Sequence, residues 1–226
     1  MLCSLSSIDT YEAIARSYRR KVWSLVEHIF KTGTGRIADL GSGPAHNLIY
    51  GAQRGWVKEG LAIDISLEML LRGRKAAEQT GQLLKIHFIA ADVTRVPLRK
   101  ESLDKALLIA VLHHLLTREE RLAALKEVNR ILRPGGIALI TVWARYQRPF
   151  TSKYLMNLLA LKLGEKLWNI SYCSKAGCRY YHMYSLSELK KDVQATGFKI
   201  LDYGQFIPPG NPNLPRKNYF VICEKS

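Results

Sequence analysis

The chain has 226 residues, 47% hydrophobic and 23% charged, long enough to bury one substantial core and too apolar for disorder. Lys and Arg number 34 against 19 Asp and Glu, a formal net charge of +15 that serves either solubility alone or a polyanionic partner, nucleic acid ahead. No apolar run approaches the ~18 residues of a membrane span and no secretory signal pattern opens the chain, so a cytoplasmic protein with no membrane partner is expected.

Tyr11, Ile14, Ala15, Tyr18, Val22, Leu25, Val26 and Ile29 recur at helical spacing and predict a helix over 10–31, capped by Asp9 or Thr10. It carries Arg16, Arg19, Arg20 and Lys21 ahead of Trp23, either a solvated basic face or the flank of a site entrance. Gly33-Thr34-Gly35 ends it, and a strand over 36–40 follows, breaking into Gly41-Ser42-Gly43 and a helix over 45–53. Glycine at such a turn lets the backbone pass close under a ligand. Gly55 and Gly60 bracket a loop before a second strand over 61–64, which ends at Asp64. Ser66 is placed to cap the next helix, over 67–79. A third strand over 85–90 leads to Asp92-Val93, and a fourth, strongly apolar, over 103–111 leads to His113-His114. An amphipathic helix over 118–132 closes at Arg133-Pro134-Gly135-Gly136, ahead of a fifth strand over 137–143.

From 145 to 182 the pattern weakens into a basic insertion with seven Lys or Arg and one acid, Glu165; a helix is expected within 154–168. A helix over 187–196, a strand over 198–204, a Pro/Gly-rich loop over 208–215 and a strand over 218–224 complete the chain. Without repeat or linker, it is expected to be one α/β domain over 1–226 with a doubly wound, seven-stranded, mostly parallel sheet and an antiparallel edge hairpin. Cys173 and Cys178 are half a metal site at most, with no second pair to complete it, so they are expected to be packed thiols and no metal is expected.

The glycine turn does not suit a dinucleotide. The third glycine of that fingerprint is replaced by His46, and Pro44 removes an amide that a pyrophosphate would use. Asp39, Asp64 and Asp92 instead close three successive strands. Each alone reads as a cap or turn residue; together they suit a cationic sulfonium nucleoside, with Asp64 on the ribose hydroxyls and Asp92 on the adenine amine.

Asp39-Leu-Gly-Ser-Gly43, Asp64, Asp92-Val93 and Leu132-Arg-Pro-Gly-Gly136 resemble the class I S-adenosylmethionine-dependent methyltransferases. That resemblance implies S-adenosylmethionine as cofactor, held by Asp39, Gly41, Ser42, Gly43, Asp64, Ile65, Asp92, Val93 and Ala110. Four further stretches narrow it: Tyr11-Glu-Ala-Ile-Ala15 with Arg19 and Trp23, Ala110-Val-Leu-His-His114, Val142-Trp-Ala144, and Arg179-Tyr-Tyr-His182 with Glu188. They are similar to the tRNA wobble-uridine carboxymethyl methyltransferases, including the methyltransferase part of the AlkB-homologue fusions. The resemblance is weak over 147–178, and Ser42 and Pro44-Ala45 depart from the family's Cys and Asn-Gly. It implies esterification of a 5-carboxymethyluridine in the tRNA anticodon loop, often with a small zinc-binding activator protein as partner.

A carboxylate is already nucleophilic at neutral pH, so such an enzyme needs orientation and desolvation rather than a strong base. Arg19, Arg145 and Arg179 are candidates to hold it, and Trp143, Tyr180 and Tyr181 to stack the base. His113, Arg19, Arg179 and Tyr180 are the expected catalytic residues. The bland reading makes one histidine a backbone-bonded loop residue, and the tyrosines and Trp143 core. Two other functions stay open: a small-molecule O- or C-methyltransferase, and a non-catalytic cofactor-binding protein associated with RNA.

Overall fold

The strand read at 36–40 is the centre of the sheet. In the computed structural model, which describes residues 8–15, 22, 24–147, 150–162, 164–174, 177–207 and 217–226, β1 (Gly35–Leu40) pairs in parallel with β2 (Val57–Asp64) and β4 (Leu103–Ile109). β3 (Ile86–Ala90) joins β2, and β5 (Leu132–Trp143) joins β4, all parallel. β9 (Asn218–Lys225) runs antiparallel between β5 and β8 (Phe198–Phe206), giving the order β3-β2-β1-β4-β5-β9-β8. The mostly parallel seven-stranded sheet with its antiparallel edge hairpin is as the pattern implies.

Period-two alternation sends each central strand's side chains to two opposite cores. Ala38, Ala106, Leu108 and Ile140 meet α5 (Arg118–Ile131) and α7 (Leu186–Ala195) on one face. Ile37, Leu107 and Leu139 meet α2 (Ser24–Lys31) and α3 (His46–Gln53) on the other, where Leu70 and Ala77 of α4 (Leu67–Gln79) also pack. Capping boxes start α5 at Thr117 with Glu120 and α7 at Ser185 with Glu188.

Several expectations are corrected. The helix over 10–31 is two helices, α1 (Ile8–Ala15) and α2, with Val22 outside either; Arg16, Arg19, Arg20, Lys21 and Trp23 lie outside the described residues. β2 starts at Val57, so Gly60 is a buried strand residue; a β-carbon there would stand 3.3 Å from Cγ1 of Val57. The insertion folds as α6 (Thr151–Leu159), a 3-10 turn over Gly164–Trp168, and a hairpin of β6 (Asn169–Ser174) and β7 (Gly177–His182) that periodicity did not reveal. Cys178, opposite Cys173 across that hairpin, is disulfide-bonded rather than a packed thiol. The loop over 208–215 lies outside the described residues. Among the described residues, no helix is long and apolar enough to cross a membrane.

One buried charge fastens α2 to the sheet. Lys105 of β4 points its ammonium at the end of α2 and donates to the carbonyls of Ile29 at 2.9 Å, Phe30 at 3.4 Å and Gly33. It satisfies carbonyls that a helix terminus leaves without partners. Lys105→Met removes all three bonds while keeping the aliphatic volume. It should lower the unfolding free energy by about 2–4 kcal/mol in denaturant titration; a loss below about 0.5 kcal/mol would show the tie to be dispensable.

Candidate active site

At the carboxyl ends of β1, β2, β3 and β4 lies a cavity of about 290 Å³, where the strand order reverses around β1. Its floor is the glycine turn. Gly41 has φ +70°, and a β-carbon on it would stand 2.3 Å from Cγ2 of Val111, so only glycine fits. The amides of Gly41 and Ser42 both donate to the Ile63 carbonyl, at 2.7 and 2.9 Å, and that of Gly43 donates to Asp64 Oδ2 at 2.7 Å. Three amides that would cradle a phosphate in a dinucleotide site are turned back onto β2. Ala45, where the resembled family has glycine, is buried and left-handed at φ 55°, at the cap position of α3.

Asp64 is the polar centre of this end. Its Oδ1 accepts from the Ser66 amide at 2.9 Å, while Ser66 itself caps α4 through the Met69 amide. Burial pushes the Asp64 carboxyl above its usual range. The amides of Ser66, Gly43 and Ile65 pull the other way, and the Glu12 charge adds to the rise. Glu12 belongs to α1 and accepts from the Glu68 amide at 3.0 Å, so α1 is pinned over the start of α4. Tyr11 of the same helix lines the cavity, its ring edge-on to His114 at 5.9 Å.

The residues expected to hold the cofactor divide into two layers. Gly41, Gly43, Asp64, Ile65, Asp92, Val93 and Ala110 line the cavity. Asp39 and Ser42 do not: Asp39 is buried under the turn and accepts from Asn47 at 2.9 Å, and the Ser42 hydroxyl donates to the Gly43 carbonyl at 3.2 Å. Asp92 Oδ1 accepts from both the amide and hydroxyl of Thr94 at 2.8 Å, which fixes its turn.

The acceptor end is built from the β4 exit and the insertion. Ala110, left-handed at φ 58°, turns the chain out of β4, so that Val111, His114, Leu115 and Leu116 form a wall. His114 faces the cavity, whereas His113 is fully buried and stacks on Trp143 at 5.2 Å, with its Nδ1 accepting from the Trp143 amide at 3.2 Å. Tyr180 is buried too: its hydroxyl donates to the Leu116 carbonyl at 3.0 Å. Tyr181 stacks on Trp143 at 4.5 Å, nearly parallel, so its ring faces core rather than ligand. Arg179 does line the cavity, and among the described residues it is the one Lys or Arg that does so. Arg19 lies outside the described residues.

Arg121 and Glu188 hold this wall from behind, a support that sequence reasoning assigned to neither, and Arg145, expected to hold the substrate carboxylate, pairs with Glu188 instead. Buried Arg121 donates to the carbonyls of Leu115 and Leu116 at 3.3 Å each. Glu188 binds buried His182 and Arg145, each at 2.7 Å, and so joins β7 to α7 and to the exit of β5. Burial pushes the Glu188 carboxyl up, but the bond and charge of His182, with Arg145, outweigh it and leave it below the usual range. The Ser-x-x-Glu spacing from Ser185 was the available signal for Glu188; nothing local marks Arg121.

Residues 38–140 match the family model described as a methyltransferase domain. A relative from Encephalitozoon cuniculi, whose name gives a provisional methyltransferase assignment and no substrate, is 29% identical over 92% of this chain and 88% of its own length. The tRNA (carboxymethyluridine(34)-5-O)-methyltransferase of Arabidopsis thaliana is 33% identical over 67% of this chain; the match spans 41% of that longer protein. Among solved structures, an S-adenosylmethionine-dependent methyltransferase from Methanosarcina mazei superposes with a TM-score of 0.77 at 18% identity, covering 91% of this chain and 99% of that one. The cofactor is S-adenosylmethionine. The cavity suits it: no amide nest for phosphate, a glycine floor that admits close approach, and a carboxylate at the end of β2 for ribose hydroxyls.

Asp64→Ala should weaken S-adenosylmethionine binding roughly tenfold or more by calorimetry, as loss of a charged acceptor requires; an unchanged affinity would remove Asp64 from the site. The ionised carboxylate is the form that accepts, and its pKa in the free protein is raised. Affinity should therefore hold above that raised pKa and fall as pH drops through it, at higher pH than an ordinary Asp would give. A titration flat down to the usual Asp range would contradict this.

Proposed function

Since the chain belongs to the class I S-adenosylmethionine-dependent methyltransferases, we propose that it esterifies the carboxymethyl group of a modified wobble uridine, 5-carboxymethyluridine, in the tRNA anticodon loop. The observation that carries the reading is Arg179 at the acceptor end of the cavity, beside an otherwise mostly apolar wall. The name of the Arabidopsis relative and the +15 charge support it. The cytoplasm is the compartment proposed, with a small zinc-binding activator as partner.

S-adenosylmethionine supplies an electrophilic methyl group on a sulfonium, which a carboxylate oxygen takes with no proton to remove. The chain's own residues then have three tasks. Asp64 keeps its carboxylate oriented through the Gly43 and Ser66 amides, leaving further lone pairs for ribose hydroxyls. Arg179 draws the acceptor carboxylate into line through charge-assisted hydrogen bonds. Val93, Val111, Leu115 and Leu116 exclude water. An anion and a cation combine into neutral products, so a dry wall lowers the barrier by removing hydration that the reactants hold more strongly than the transition state. Neither histidine is needed as a base: His113 orients Trp143 from below, and His114 packs against the acceptor.

Purified protein with activator should transfer methyl groups to bulk tRNA from a strain lacking the gene, and nucleoside mass spectrometry should find the methyl ester. No incorporation with the activator present, or equal turnover on small acids without RNA, would overturn the reading. Arg179→Ala should lower kcat/KM roughly 10–100-fold with S-adenosylmethionine affinity unchanged, the magnitude of one charged hydrogen bond. If cofactor affinity falls instead, Arg179 belongs to the cofactor end.

A further inference from the structure

Helix α6 is amphipathic in the wrong direction for a core element. Its inward side is polar: buried Asn157 donates to the carbonyls of Leu167 and Asn169 at 3.0 and 2.9 Å, and the Tyr154 hydroxyl donates to the Arg145 carbonyl at 2.5 Å. Its outward side is aliphatic. Leu155, Met156, Leu158 and Leu159 are 52 to 75% exposed, and Leu161, just past the helix, is 83% exposed. Tyr146, at 72%, is exposed on the segment leading to the helix and stands edge-on to Trp168. Isolated surface leucines need no explanation, but five large aliphatic side chains within seven residues form a patch that water alone does not favour.

The surroundings of the patch select its occupant. Lys153, in the first turn of α6, donates to the Ser171 carbonyl at 2.5 Å, Lys162, directly after Leu161, is exposed and donates to Asn157 Oδ1 at 3.0 Å, and Lys166 is exposed four residues later; 145–182 contains one acid in sequence. A second copy would bring the same lysines against each other on a chain already at +15. An RNA offers bases to aromatic rings and phosphates to cations but nothing to a row of Leu and Met. A bilayer with anionic headgroups offers both halves: acyl chains for the aliphatic row and negative charge for the lysines, with tyrosine at the rim. We propose that the outward face of α6 lies in the headgroup boundary of an anionic membrane and holds the protein there peripherally. The expectation of no membrane partner rested on the absence of a long apolar run, a criterion for spanning segments that a nine-residue face escapes.

The test is flotation of the full chain with vesicles of phosphatidylcholine alone or mixed with phosphatidylserine. The protein should float with the mixed vesicles and not with phosphatidylcholine alone. Leu155→Ser/Leu159→Ser should lower that binding roughly tenfold or more, and Lys166→Glu should lower it as well. Leu155, Leu159 and Lys166 are all exposed, and circular dichroism checks that the variants keep the fold. Failure to float overturns the proposal, as does binding that the leucine pair leaves unchanged, which would be adsorption by net charge alone. A concentration-dependent dimer abolished by the leucine pair would assign the face to a second copy and overturn it too. None of these outcomes depends on methyl transfer, so the functional reading stands or falls separately.

Discussion

The carboxylate of Asp64 is the joint on which the site depends. One oxygen holds the Gly43 amide and the other the Ser66 amide, so a single side chain fixes the glycine turn after β1 and the entry to α4. One of the three amides of that turn is thereby spent inside the protein, with the Ile63 carbonyl taking the other two. What is left for a ligand is a close glycine floor and an acidic strand end. That arrangement favours a cationic nucleoside over a phosphate, because a carboxylate in a partly desolvated cleft repels anions and attracts a sulfonium. Its raised pKa follows from the same geometry: burial and the Glu12 charge oppose three amides and prevail.

The opposite end of the cavity is held from a distance. Arg121 and Tyr180 secure the wall at Leu115 and Leu116 through main-chain carbonyls. The Glu188 cluster anchors the hairpin that carries Arg179. The stack of His113, Trp143 and Tyr181 fills the space beneath. An acceptor end lined by Val111, Leu115 and Leu116, with the Arg179 guanidinium beside His114 and the Glu120 carboxylate, suits a nucleophile that needs alignment rather than activation.

Local features made much of this legible. A short apolar strand running into Gly41-Ser42-Gly43, with acids at the ends of β2 and β3, is a pattern within a few residues, and the parallel sheet follows from strand–helix alternation. What escaped was set by longer-range geometry. The helix over 10–31 breaks near Val22 although its apolar spacing is continuous. Gly60 reads as loop but is a strand residue because β1 and β3 pair on either side of β2. The β6–β7 hairpin has no clean alternation to announce it. His113 and His114 are neighbours of one type, and the packing of the 3-10 turn that carries them, not their spacing, decides that His114 faces the cavity and His113 the core. The disulfide bond of Cys178 depends on a cross-strand register that spacing does not give.

The central claim is that a carboxylate receives the methyl group, and the chemical stability of the product tests it most directly. tRNA labelled from S-adenosylmethionine carrying a tritiated methyl group should release its label as volatile methanol on brief mild alkaline treatment, because an ester hydrolyses where carbon- and nitrogen-bound methyl groups do not. Label that stays with the nucleoside after that treatment would contradict the account.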